Sequence, residues 1–379
     1  MKKIFGYVFL AAMIVIMSGT GEVMAAEEAE ENTDYYGEIL DLYDFADIDR
    51  ELEDKAVDYS FSDIVGVLIK GDFKPAVTMI REIIQSRFFY EILYHKNALI
   101  KIILLAVISA MFSNISVILN KTEISETGFY ITYILMITIL ISSFQIMSGV
   151  LYDVTEEVTS FIQIMIPSLV LSVGLCCGQA TALGFGEIAL FVIYIGEMLI
   201  KNIVLPMIKL YVIIMAVNHL LTEDYFSKFG EIFKGFVLWF LKFFTGVVMG
   251  INIIKGMILP GIDLAGKNTA VKLMNLIPGA QELTAAGSIF LSSASVIKNA
   301  IGGAAIIILV IITIVPAVKM LVFVAAYKIT AALIQPVADR RIAKCVDSAA
   351  DGVMLLNKVL MTQVIMLSLS LAVLCMVTT

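Results

Sequence analysis

The run AIGGAAIIILVIITIVPAVKMLVFVAAYKITAALIQ, residues 300–335, has thirty-six residues and only two charges, Lys319 and Lys328. As straight helix at 1.5 Å per residue it is about 54 Å long, against roughly 30 Å for the hydrocarbon core of a bilayer. It belongs in a membrane, yet it is too long for one upright span and short for two. A second run, 188–221, poses the same problem over thirty-four residues. Each contains a proline, Pro316 and Pro206, and each is expected to tilt strongly, break at its proline or fold back.

Five more apolar runs lie at 102–119, 129–151, 161–185, 235–262 and 353–377, and polar stretches such as NKTEISETG (120–128) and YDVTEEVTS (152–160) read as loops between them. Of the 379 residues 60% are hydrophobic and 16% charged, with mean hydropathy +0.94. A soluble domain carries about 25% charged residues. The fold class is therefore all-α: a polytopic helical membrane protein with seven to eight transmembrane helices. The loop at 152–160 has three acids and no base and is expected outside, whereas Arg340, Arg341 and Lys344 are expected in the cytoplasm. Both hold with eight crossings if one long segment is a hairpin; the count is seven if neither folds back.

The chain starts with Lys2 and Lys3, an apolar core over 4–17 and small residues around Ala25, which reads as a secretory signal peptide at 1–25. An uncleaved first anchor is the other reading. Residues 26–97 then form an acidic exported segment. Between Glu27 and Asp63 fifteen acids face two bases, a local charge of -13, so against the total of -8 the remainder sums to about +5. Short acidic helices are expected over 35–67. Past the break at Gly71 and Pro75, the segment 76–97 reads either as an interfacial amphipathic helix or as part of a small helical hairpin. No basic surface is available for a phosphate backbone, so nucleic acid is not an expected partner; membrane lipid is.

Residues 98–379 form the multi-span domain, and an internal repeat emerges within it. VLPMIKLYVIIMA (204–216) aligns with IVPAVKMLVFVAA (314–326), matching Pro206 with Pro316 and Lys209 with Lys319. Paired, Pro-interrupted helices bearing a lysine are a device by which transporters build a midplane site; coincidence in low-complexity apolar sequence is the alternative. Glu197 and Lys201, four residues apart, are expected to share one helix face, either lining a pathway or letting the lysine snorkel to the headgroups. Gly174 and Gly178 in GLCCG, and Gly246 and Gly250 in GVVMG, have the small-xxx-small spacing of close helix packing. The polar residues Gln281 and Glu282 allow a re-entrant segment.

With His95 and His219 the only histidines and Cys176, Cys177, Cys345 and Cys375 in or beside apolar runs, neither a disulfide framework nor a metal site is readable. No cofactor is expected. Phosphate-loop, zinc-protease and serine-nucleophile motifs do not occur, so an enzyme is not expected.

The signal peptide, the acidic exported segment, the stretch ELTAAGSIFLSSASVIKNAIGG (282–303), VPAVKM and AALIQPVADRRI (331–342) together resemble the stage III sporulation protein AE family of endospore-forming bacteria. The resemblance covers most of the chain and is most specific over 278–342. It implies a multi-pass component of the mother-cell membrane around the forespore, with its N-terminal segment extracytoplasmic. It also implies a place in the channel, or feeding-tube apparatus, that joins mother cell and forespore. Partners implied are the other stage III A proteins, including a cytoplasmic secretion-type ATPase, and the stage II sporulation protein Q across the intermembrane space. A translocating subunit and an assembly scaffold both fit; a permease-like transporter for a small solute is the alternative that the residues alone would give.

Overall fold

The computed structural model describes residues 122–176, 178–221, 223–274, 281–336 and 338–376, together with 61–69 and isolated positions between 45 and 111; for 255–274 and 281–292 it describes backbone alone. The signal peptide and the amphipathic segment at 76–97, apart from Asn97, lie outside the described residues, as does most of the exported segment. Every regular element described is helical. They are α1 (Phe61–Ile69), α2 (Thr122–Cys176), α3 (Gln179–Leu199), a π-helical turn (Ile200–Val204), α4 (Leu205–Leu220), α5 (Ser227–Met274), α6 (Gln281–Ile334) and α7 (Arg340–Met376).

Five described stretches are long and apolar enough to cross a membrane: Glu126–Cys176, Thr181–Leu220, Ser227–Ile254, Ser293–Ile334 and Arg340–Leu374. The expected span at 102–119 lies mostly outside the described residues, and the remaining spans are arranged differently from the expectation for reasons visible in the residues. The expected loop at 152–160 is continuous helix within α2, because its polarity is confined to one face. Tyr152, Asp153, Glu156 and Glu157 point outward while Leu151, Val154, Thr155 and Val158 are buried, which is the periodicity of an amphipathic helix. The reversal comes later, inside the expected span 161–185. Gly178 adopts φ 129° and ψ 166°, a conformation that side-chain-bearing residues rarely take, and α3 starts at the next residue.

The prolines do not break the two long runs, and neither run is a hairpin. Pro206 follows directly on the π-helical turn and sits in the first turn of α4. There its missing N–H costs no regular i→i−4 bond. Pro316 lies within α6, which runs on without interruption. Residues 281 and 282 open that same helix.

Pairs of touching residues fix the helix directions. Tyr133 of α2 donates to the carbonyl of Ala216 at 2.7 Å, and Lys201 reaches Glu156, so α3 and α4 run antiparallel to α2. Lys234 with Asp351 and Asn252 with Ser370 make α5 parallel to α7. The short connection from Ile334 to Arg340 makes α6 antiparallel to α7, and Phe144 beside Gly352 with Thr155 on Gln363 makes α2 parallel to α7, so α6 is antiparallel to both. The result is an up-and-down bundle in which α7 packs on α6, α2, α4 and α5. None of the described large apolar side chains of α7 is exposed. At Gly352 the approach is closest: a Cβ there would collide with Val212 Cγ2 and lie 3.3 Å from Phe144.

The nine-residue α1 docks on α6. Phe61, Ile64 and Val65 are buried with Phe45 and Ile48, and Leu68 lies 3.6 Å from where a Gly303 Cβ would be. The small-residue run around Gly303 thus forms a shallow berth for a helix from the segment preceding the spans.

Candidate functional site

Charged and polar groups inside an apolar bundle are costly unless paired, and the structure pairs them in two clusters. The first sits at the π-helical turn. Lys201 bonds Glu197, one helical turn earlier, at 2.6 Å and Glu156 of α2 at 3.1 Å. Its ammonium also lies 4.1 Å from the centre of the Tyr152 ring. Tyr152 and Glu156 are four apart on α2, so one face of that helix supplies both an acceptor and an aromatic surface. The structure thus brings the expected Glu197 and Lys201 together and adds Glu156. Glu156 lies in the stretch expected as a loop, and the apolar residues flanking it at helical spacing are the signal for helix.

The second cluster joins three helices and was not expected from sequence. Asp351 of α7 accepts Lys234 of α5 at 3.0 Å and Lys328 of α6 at 2.9 Å, and Lys328 also reaches Asp347 at 2.8 Å. Lys234 lies 5.9 Å from the Tyr211 ring. Asp347 and Asp351, spaced i,i+4 in a helix otherwise apolar on its inner side, are the readable trace of the cluster.

Polar bonds tie the helices at other levels as well. Thr155 donates to Gln363 at 3.2 Å, Tyr327 to Ser143 at 3.0 Å and Asn252 to Ser370 at 2.7 Å. Near the basic end of the bundle Arg341 stacks 3.7 Å over Phe129, and His219 pairs with Ser348 at 2.9 Å. Asn218 holds the turn after α4, bonding Asp224 through its amide and accepting the Phe226 N–H at 2.7 Å.

The remaining expected residues fall elsewhere. Pro206 and Lys209 are exposed on α4, while Pro316 and Lys319 are half-buried on α6. The main contacts of α4 are with α7, α5 and α2, and those of α6 are with α7, α2 and α1. The two halves of the repeat are thus each anchored to shared neighbours. Gly174 lies beside the reversal, where its Cβ would be 3.6 Å from Ala182, and Gly178 makes the reversal itself. A Cβ added at Gly246 or Gly250 would meet nothing within 4 Å, so this spacing serves no close approach within the described chain.

Long antiparallel helices, an apolar outer surface and ion pairs held between helices define an all-helical, membrane-type bundle. A family model described as stage III sporulation protein AE matches residues 59–378, and the chain belongs to that family. It is also similar to the stage III sporulation protein AE of Bacillus subtilis (strain 168), at 25% identity over 390 residues, covering 98% of this chain and 97% of that protein. No solved structure matches.

Proposed function

We propose that this protein is a membrane scaffold subunit of the stage III sporulation complex, on which the channel joining mother cell and forespore is assembled. The observation that carries this reading is the filled axis of the bundle. Helix α7 occupies it, locked to α5 and α6 through Asp351 and to α2 through Gln363. Polar groups in the interior bond one another across helices, an arrangement that holds a framework rigid. A permease would need a lumen where α7 packs.

In this reading the protein lies in the mother-cell membrane and crosses it six times, by 102–119 and then by α2, α3–α4, α5, α6 and α7. Arg340, Arg341 and Lys344 face the cytoplasm. The position of α1 supports this orientation: it docks near Gly303, thirty-one residues or about 46 Å of helix from the Ile334 end of α6. A segment expected to be exported and a cluster expected to be cytoplasmic thus lie about 46 Å apart along one helix. Partners are the other stage III A proteins, including the cytoplasmic ATPase, and the stage II protein Q beyond the membrane; no enzymatic activity is proposed.

The test is reconstitution of the purified full chain into liposomes, alongside affinity purification from membranes of sporulating cells. The chain alone should pass neither small ions nor solutes, and it should co-purify with other stage III A proteins. Conductance or solute uptake by the chain alone would overturn the scaffold reading in favour of a permease.

A further inference from the structure

On α2 large exposed apolar side chains run from Tyr130 through Ile134, Leu135 and Ile146 to Tyr152. Three exposed acids follow, Asp153, Glu156 and Glu157, before the next exposed large apolar side chain, Leu171. Glu156 holds Lys201, whereas Asp153 has no ion-pair partner among the described residues.

Helix α5 presents the complementary face. It is the least buried of the five long segments. Ile232, Phe236, Trp239, Phe243 and Val247 are exposed at helical spacing, and Gly246 and Gly250 leave open space alongside. Among them stands exposed Lys242, also without an ion-pair partner among the described residues.

The two unpaired charges lie at the same depth. On α7, used as a ruler, Lys234 meets Asp351 and Asn252 meets Ser370, which places Lys242 level with residues 359–360. Thr155 meets Gln363, and Phe144 lies beside Gly352, which places Asp153 level with residue 361. The offset is one or two residues, about 1.5–3 Å.

We propose that a second copy of this chain covers these two faces, with α5 of one copy packed on α2 of the next and Lys242 paired with Asp153. The two faces belong to different helices, so the contact is head-to-tail, and of two copies in contact one keeps its α2 face free and the other its α5 face. Copies sharing one orientation in one membrane are related by rotation about its normal, and the repeated contact closes into a ring where that rotation divides a full turn. Small residues on α5 allow close approach, and a paired charge at depth supplies register. This inference stands independently of the scaffold reading.

The experiment uses two differently tagged full-length copies in native membranes, in a background lacking the four native cysteines. One carries Asp153→Cys, the other Lys242→Cys, and a short bis-maleimide is added. The mixed pair should cross-link, while neither variant cross-links to itself. As a check that does not depend on thiols, Lys242→Asp or Asp153→Lys alone should lower the recovered oligomer about tenfold, about 1.4 kcal/mol, and the exchanged pair should restore it. Cross-linking of like with like, a product with the mass of another protein, or no product from thiols that react with a single maleimide would overturn the proposal. So would an exchanged pair that behaves no better than the single changes.

Discussion

Helices α5 and α7 contrast in a way that inverts the habit formed on soluble proteins. The less apolar of the two is α7, which carries Asp347, Asp351 and Lys358 along its length, yet 67% of its most apolar window is buried. The more apolar α5, with its run of Phe, Trp and Val, has 22% of its window buried. In water apolar side chains are driven inward. In lipid they are at home, and it is the charged and hydrogen-bonding groups that need cover, so the more polar helix takes the centre.

If that contrast is correct, matched substitutions on the two helices should differ sharply in cost. Gly352→Leu on α7 should have the largest effect, about 3 kcal/mol, because Val212 and Phe144 already occupy the space. Loss of the folded chain from detergent-solubilised membranes, followed by thermal unfolding, measures it; an unchanged midpoint would break the contrast. Next comes Asp351→Ala, which leaves Lys234 and Lys328 without their shared acceptor. The groups are partly exposed, so the expected loss is about 2 kcal/mol, below that of a fully buried pair. Lys328 keeps Asp347, and adding Lys234→Met to Asp351→Ala should therefore recover part of the loss; simple additivity would show that the pair is not coupled.

Glu197→Ala should cost less, about 1 kcal/mol, because Glu156 still holds Lys201. The double change Glu156→Ala with Glu197→Ala should exceed the sum of the two single changes, and a purely additive double mutant would argue against a shared acceptor site. Smallest of all is Gly246→Ala on α5. With open space at its Cβ, it should leave the stability of a single copy within about 1 kcal/mol and tend to raise it through helix propensity. A large destabilisation of the isolated monomer there would mean that α5 is packed within the chain after all.

The apolar runs, the pairing of Glu197 with Lys201 and the family motifs over 278–342 were legible because each depends on residues close in sequence. Helical spacing puts 197 and 201 on one face wherever the helix lies, and an apolar run is expelled from water whatever its neighbours. The ends of helices were not so legible. The acids at 152–160 looked like a loop because their charge counts in a window average, whereas in the helix it falls on one face only. The turn at Gly178 was hidden within a run whose hydropathy never drops.

The sequence by itself determined that the chain is a helical membrane-type protein, since composition and local periodicity suffice for that, and its motifs over 278–342 carried the resemblance to the stage III sporulation protein AE family. Only the tertiary structure decided that α7 is central, that Asp351 ties three helices together and that Glu156 completes the Lys201 site. Those facts rest on contacts between residues 23 to more than a hundred positions apart, and no local pattern specifies which charges will meet once several long helices choose their order around an axis.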